Sequence, residues 1–108
     1  MNGSFEIREY TEGGRSPFAE WFDDLDAVTA ARVDRYVRRL EAGNFGAAKP
    51  LCDGVFELRL DFGPGYRVYY GREGRTIIIL LGGGSKRRQD ADIAAAVERW
   101  KRYKQTKA

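Results

Sequence analysis

The residues of this chain best suited to chemistry are cations and carboxylates carried on a short alternating stretch. In Val55-Phe56-Glu57-Leu58-Arg59-Leu60-Asp61, the apolar Phe56, Leu58 and Leu60 take one face of a strand and Glu57, Arg59 and Asp61 the other. Tyr66-Arg67-Val68-Tyr69-Tyr70 follows a Gly63-Pro64-Gly65 turn, and Lys86-Arg87-Arg88 follows a glycine triplet. Glu57 and Arg59 point the same way, a spacing that serves either a charge-stabilising site or a salt-bridge lattice across a sheet. The planar fork of donors on an arginine matches phosphate oxygens better than the point charge of a lysine does. Charge is also unevenly spread. Acids dominate early, at Glu6, Glu9, Glu12, Glu20, Asp23, Asp24 and Asp26. Late in the chain Lys86, Arg87, Arg88, Arg99, Lys101, Arg102, Lys104 and Lys107 outnumber Asp90, Asp92 and Glu98. The late excess suits a polyanion held at one edge of the molecule, although charged residues on a helix ordinarily form its solvated face.

What the chain lacks narrows the chemistry further. It has no histidine and a single cysteine, Cys52, so imidazole catalysis, an internal disulfide and zinc or haem ligand sets all drop out. No metal and no cofactor is expected, and the lone thiol reads as buried or idle in a reducing compartment. The first residues lack the basic start and apolar stretch of a secretion signal, and no apolar run approaches the ~20 residues that span a bilayer. A cytoplasmic protein with no membrane partner is the expectation.

The elements that must hold these residues can be read from periodicity. At 108 residues the chain fits one domain, 1–108, with one modest core. Phe5 to Tyr10 alternates as a strand, and Gly13-Gly14 ends it. Ser16 caps a short helix that opens on Pro17 and carries Phe18, Trp21, Phe22 and Leu25 at helical spacing. Asp26 caps a second helix with Ala30, Val33, Val37 and Leu40 as its apolar stripe and Gly43 as its stop. After a polar connection through Asn44, Gly46 and Pro50, three strands read as a meander: Val55 to Asp61, Tyr66 to Tyr70 and Thr76 to Leu81. Gly82-Gly83-Gly84 then releases the chain into a helix that starts between Lys86 and Asp90 and buries Ile93, Val97 and Trp100. The fold class is α+β in the order β-α-α-β-β-β-α, with a helix hairpin on one face of a mostly antiparallel sheet. Glu57, Arg59 and Arg67 then point from the other face, outward and with little burial.

Gly54-Val55-Phe56-Glu57-Leu58-Arg59, then Gly63-Pro64-Gly65-Tyr66-Arg67-Val68-Tyr69-Tyr70, then Leu80-Leu81-Gly82-Gly83 with Lys86 and Gln89, then Asp92-Ile93-Ala94-Ala95-Ala96, form an ordered set. Together with Gly43-Asn44-Phe45-Gly46 and Lys49-Pro50, it resembles the HigB-like addiction-module killer branch of the RelE/ParE toxins over nearly the whole chain. Two departures stand out. The family's loop after the last strand usually reads Gly-Gly-Asp-Lys, where this chain has Gly82-Gly83-Gly84-Ser85-Lys86, and Arg87 and Arg88 replace small hydroxyl residues. Both make the loop more basic.

The resemblance implies the toxin of a type II toxin-antitoxin pair, an endoribonuclease that cuts messenger RNA on the ribosome through the substrate's own 2′-hydroxyl, without metal or cofactor. It implies a cognate antitoxin, a helix-turn-helix protein from the adjacent gene. Arg67 matches the family arginine that stabilises the phosphate, and Arg59 shares its strand face. Glu57 stands where RelE carries a lysine used in proton transfer, so either the base is Glu57 or Lys49, or the step is weakly catalysed. Arg87, with Lys86 beside it, lies nearest the arginine proposed as the acid, and charge stabilisation is the safer role for both. Tyr69 shares the face of Arg67, where packing is the ordinary role and stacking on a base the functional one. Arg32, Arg35, Arg38 and Arg39 on the second helix, and Arg88, are candidates for RNA phosphates. Two other readings remain: a ParE-like inhibitor that binds DNA gyrase without hydrolysis, and an inactive homologue that only binds antitoxin.

Overall fold

The computed structural model describes residues 4–107. β1 is Glu6–Glu9, α1 is Pro17–Asp23, α2 is Ala27–Glu41, β2 is Ala48–Pro50, β3 is Val55–Arg59, β4 is Arg67–Glu73 and β5 is Ile77–Gly84; a 3-10 turn over Lys86–Arg88 leads into α3, Gln89–Lys107. The strands form one sheet in the order β1-β5-β4-β3-β2, antiparallel except where β1 runs parallel to β5.

Local chemistry accounts for the helix ends. The Ser16 hydroxyl accepts from the Ala19 N–H at 3.0 Å ahead of Pro17, and the Asp26 carboxylate accepts from the Thr29 N–H at 3.2 Å. α2 closes in a Schellman arrangement: the Gly43 N–H reaches the Leu40 carbonyl and the Asn44 N–H the Arg39 carbonyl. This needs the positive φ of 87° that Gly43 supplies.

Three layers result, with a core on each side of the sheet. Phe18, Val33, Val37 and Leu40 from α1 and α2 pack on Leu58, Leu60, Val68, Tyr70, Ile78 and Leu80. On the opposite face Tyr10, Val55, Tyr69, Ile79 and Leu81 pack on Ala96 and Trp100 of α3, with Ile93 and Val97 at its margin. The helix hairpin is therefore where the pattern of the sequence put it. The second face is not open, however, because α3 covers it. That corrects the expectation for Arg67, which is only 5% exposed, and for Glu57, which is fully buried.

Two further expectations change. The connection through Pro50 contains a strand, β2, whose Lys49 pairs in register with Glu57. Three residues ending in proline show no alternation, and proline is tolerated there because β2 is an edge strand. The glycine triplet does not release the chain either: Gly82, Gly83 and Gly84 pair with Tyr69, Val68 and Arg67 as the end of β5. A register shift between Tyr69 and Tyr70 leaves Leu81 as an extra residue and turns Gly82 and Gly84 toward α3. The missing side chains make room for neighbours, since a β-carbon on Gly83 would fall on the Trp21 ring and one on Gly84 on the Asp92 carboxylate. Cys52 is exposed.

Gly71 in β4 plays the same part under α3, since a β-carbon there would stand 2.6 Å from the Trp100 ring. Gly71→Ala should thus cost about 1–3 kcal/mol by overpacking. A urea midpoint equal to that of the parent chain would show that α3 sits more loosely than described.

Candidate functional site

Pairing of β2, β3 and β4 places the charged residues side by side. In register, Glu57 lies between Lys49 and Tyr69, and Arg59 lies opposite Arg67. Successive residues of a strand alternate faces, so Lys49, Glu57, Arg59, Arg67 and Tyr69 share the side on which α3 begins. The Lys49 ammonium stands 3.8 Å from Glu57 Oε1, and Arg67 Nε stands 3.5 Å from Glu57 Oε2. Gln89, the first residue of α3, donates from Nε2 to Glu57 Oε2 at 2.7 Å. The Arg67 terminal nitrogen donates to the Gly65 carbonyl in the preceding turn. One buried carboxylate thus ties together β2, β3, β4 and the start of α3.

This cluster is incompletely satisfied. Among the described residues, Glu57 Oε1, Arg67 Nε and the Tyr69 hydroxyl are buried without a hydrogen-bond partner. The Arg67–Glu57 approach is an ion pair whose geometry falls short of a hydrogen bond, so its strength is mainly Coulombic. Burial, with the charges of Glu57 and Asp92 added, pushes the Tyr69 phenol well above its usual range, and Arg67 only partly opposes this. Tyr69 therefore remains a neutral donor. Asp92 is raised as well, by burial, against the pull of Arg88 and Arg99.

In front of the buried layer lies an open cleft of ≈ 320 Å³ whose lining includes Arg59, Phe62, Gly65, Tyr66, Arg67 and Lys86. The Gly63-Pro64-Gly65 turn reaches it because the Lys86 N–H donates to the Pro64 carbonyl at 3.3 Å. A β-carbon on Gly65 would stand 2.8 Å from Arg67 Nη1 and 3.2 Å from Lys86 Cβ. A second hollow of ≈ 460 Å³, lined by Lys86, Arg87, Arg88, Gln89, Asp90 and Ala91, adjoins it and shares Lys86. Arg59, Lys86, Arg87 and Arg88 are exposed, as is 55% of the Lys49 side chain. These are the groups an incoming anion meets first. Among the described residues, no three His, Cys, Asp or Glu side chains gather as a metal site.

The structure sorts the residues singled out from the sequence. Arg59, Arg67 and Lys86 converge on the cleft; Lys49 and Glu57 lie behind one edge of it, and Arg87 and Arg88 flank the neighbouring hollow. The Tyr69 ring is fully buried beneath α3, so it packs and is closed to stacking on a base. The α2 arginines divide. Arg32 lies 3.9 Å over the Phe62 ring, which brings it to the cleft rim. Arg38 is engaged by Asp34 and Glu41, Arg39 lies over Tyr36, and Arg35 is exposed on the same helix, which packs on the opposite face of the sheet. Sequence reasoning missed Gln89 as a site residue. Gln89 stood with Lys86 among the motif residues of the resemblance but was given no role there.

Removing one partner of a buried ion pair leaves the other uncompensated. Arg67→Ala should therefore destabilise the fold by roughly 3 kcal/mol, against about 0.5 kcal/mol or less for exposed Arg59→Ala. Chemical denaturation of both variants decides this, and equal midpoints would refute a buried role for Arg67.

No helix among the described residues is long and apolar enough to cross a membrane. An uncharacterized protein of Haemophilus influenzae is 45% identical to this chain over 80 residues, which is 73% of this chain and 81% of that one. The family model described as phage derived protein Gp49-like (DUF891) matches residues 20–103, from α1 through most of α3. A match of that extent covers the hairpin, the cleft and the Glu57 cluster together, and the chain belongs to this Gp49-like family, a RelE-like toxin family of toxin-antitoxin systems.

Proposed function

We propose that this protein is the toxin of a type II toxin-antitoxin pair and that it cleaves messenger RNA on the ribosome. The observation that carries the reading is the meeting of Arg59, Arg67 and Lys86 around one open cleft, with the Lys49–Glu57 pair behind its edge. In attack by a ribose 2′-oxygen on the adjacent phosphorus, negative charge builds on the phosphate oxygens in the transition state. Preorganised cations at that point supply most of the acceleration. Arg59 and Lys86 are placed to take the phosphate oxygens, while Arg67, held by Glu57 and the Gly65 carbonyl, directs its charge from below.

Burial changes the part played by Glu57. A carboxylate with no exposed surface does not reach a 2′-hydroxyl, so Glu57 positions Arg67 and Lys49 and does not act as the base. Lys49 is the exposed member of that pair: its ammonium donates a proton to the departing 5′-oxygen, and the 2′-hydroxyl proton passes to solvent water. The acid role assigned to Arg87 becomes charge stabilisation of the departing strand, shared with Lys86 and Arg88 along the adjoining hollow. Cations outnumber carboxylates here, so positioning and charge stabilisation contribute more than proton transfer does. The cognate antitoxin, a helix-turn-helix protein, inhibits by covering the basic cleft.

Induction of the protein alone should stop protein synthesis before DNA synthesis falls. Arg59→Ala and Lys86→Ala, both at exposed positions, should each relieve growth arrest by tenfold or more while the protein stays folded. Pulse labelling in which replication stops first, with gyrase-linked DNA breaks, would replace this reading with gyrase inhibition. If the toxin and its adjacent gene product migrated separately at micromolar concentration, neutralisation by direct contact would be wrong.

A further inference from the structure

The far end of α3 carries a second cationic site that the cleft does not use. Gln89, at one end of the helix, touches Glu57, and Lys107 is the last of its 19 residues, roughly 27 Å away at 1.5 Å per residue. There α3 lies against the β4–β5 hairpin, and a hollow of ≈ 260 Å³ opens between Arg72, Glu73, Trp100, Tyr103, Lys104 and Lys107. Its aromatic wall is a stacked pair: Trp100 and Tyr103 have ring centroids 5.4 Å apart and planes within 7° of parallel. Trp100 is buried and Tyr103 is partly open, so Tyr103 is the outer ring of the pair, with the Lys107 ammonium over it.

The polar groups around this wall are arranged for an anion. The Tyr103 hydroxyl donates to Glu73 at 2.7 Å, which fixes the ring and occupies the one carboxylate lining the hollow. Burial and that carboxylate push the phenol up to about 12, so it remains a donor at neutral pH. Lys104 Nζ stands 5.7 Å from the Trp100 centroid and Lys107 Nζ 5.5 Å from that of Tyr103. Arg72 borders the hollow, but its guanidinium lies over Phe45 and Phe5 on the hairpin side of the sheet, which leaves Lys104 and Lys107 as the cations of this site. A π-face rimmed by flexible cations is the combination with which proteins hold single-stranded nucleic acid, the ring taking a base and the cations its flanking phosphates. A protein partner would ask for an apolar anchor standing free of charge. Among the described residues the exposed large hydrophobic is Val28, on α2 across the sheet.

We propose that this hollow is a second binding site for single-stranded RNA, in which a base takes the place of the Lys107 ammonium on Tyr103 and the neighbouring phosphates lie on Lys104 and Lys107. It adds affinity at a distance from the cleft and takes no part in bond cleavage.

The test is fluorescence anisotropy of a short fluorescein-labelled oligoadenylate titrated with the full chain across a range of salt. Lys104→Gln with Lys107→Gln, both exposed, should weaken binding about tenfold and reduce the slope of log affinity against log salt by about 1.4, some 0.7 for each phosphate contact to a single strand. Tyr103→Leu should lose a similar factor through stacking, whereas Tyr103→Phe, which keeps the ring and only frees Glu73, should lose less. Melting temperatures report whether each variant is folded. Because Tyr103→Leu alters a partly buried ring, the lysine pair decides if it unfolds. Arg59→Gln with Lys86→Gln in the cleft separates the two sites. If only the cleft variant loses affinity, the second site is wrong; if only the α3 variants do, it stands whatever becomes of the cleft reading. Labelled polyglutamate bound through Lys104 and Lys107, with oligoadenylate affinity unchanged in the lysine variant, would assign the hollow to an acidic protein and overturn the proposal.

Discussion

A carboxylate without solvent must be surrounded by cations or donors, and Glu57 imposes that requirement on three other elements at once. Lys49 from β2, Arg67 from β4 and Gln89 from α3 each face it. Each is supplied by a different part of the chain, so β2 must add to the edge, β4 must keep its register and α3 must begin where it does. The cleft exists because these demands are met together: Arg67 is held from behind by Glu57 and from the side by the Gly65 carbonyl. The remaining unsatisfied atoms of Glu57, Arg67 and Tyr69 make this the most expensive part of the core, a common feature of functional sites.

Backbone without side chains is what lets α3 come so close. Gly71 accommodates the Trp100 ring, Gly84 the Asp92 carboxylate and Gly82 the Arg99 guanidinium, while Arg99 donates to the Leu81 carbonyl at 2.9 Å. The register shift in β5 decides which of these glycines face the helix. Glycine in a strand costs conformational entropy, and here the cost is offset by the burial of Trp100 and Ala96. The helix covers the apolar end of the sheet and leaves the basic end beside its own N-terminus open.

Burial separates the cations into two kinds. Arg67 is enclosed, so its charge acts at short range with little water between. Arg59, Lys86, Arg87 and Arg88 are exposed, and Lys104 and Lys107 likewise at the far end; their influence is screened within about 10 Å at ordinary salt. An anion is thus attracted by the exposed set and, within the cleft, meets the enclosed one.

Much of this was legible in the sequence. Alternation in Val55 to Leu60 put Leu58 and Leu60 against the hairpin and Glu57 on the other face, because a strand's period of two leaves no choice once one face is apolar. Caps at Ser16 and Asp26 and the stop at Gly43 are local chemistry, readable within four residues. The grouping of Arg59, Arg67 and Lys86 followed from the ordered motifs. That α3 packs was legible in its stripe of Ile93, Val97 and Trp100, and packing was the ordinary role read for Tyr69; which charges the helix covers was not legible, and with it went the burial of Arg67 and Glu57. A charged residue on a strand reads as solvent-facing until a distant element covers it. Nothing in Ala48-Lys49-Pro50 marks a strand, because a short edge is defined by its neighbour's free hydrogen bonds. The glycines at 82 to 84 read as a release because a missing side chain looks the same in sequence whether the chain must turn or another element must approach. Local period and capping were determined by the chain itself; which charges lie beneath a helix was decided by contacts between residues dozens of positions apart, as Gln89 to Glu57 shows.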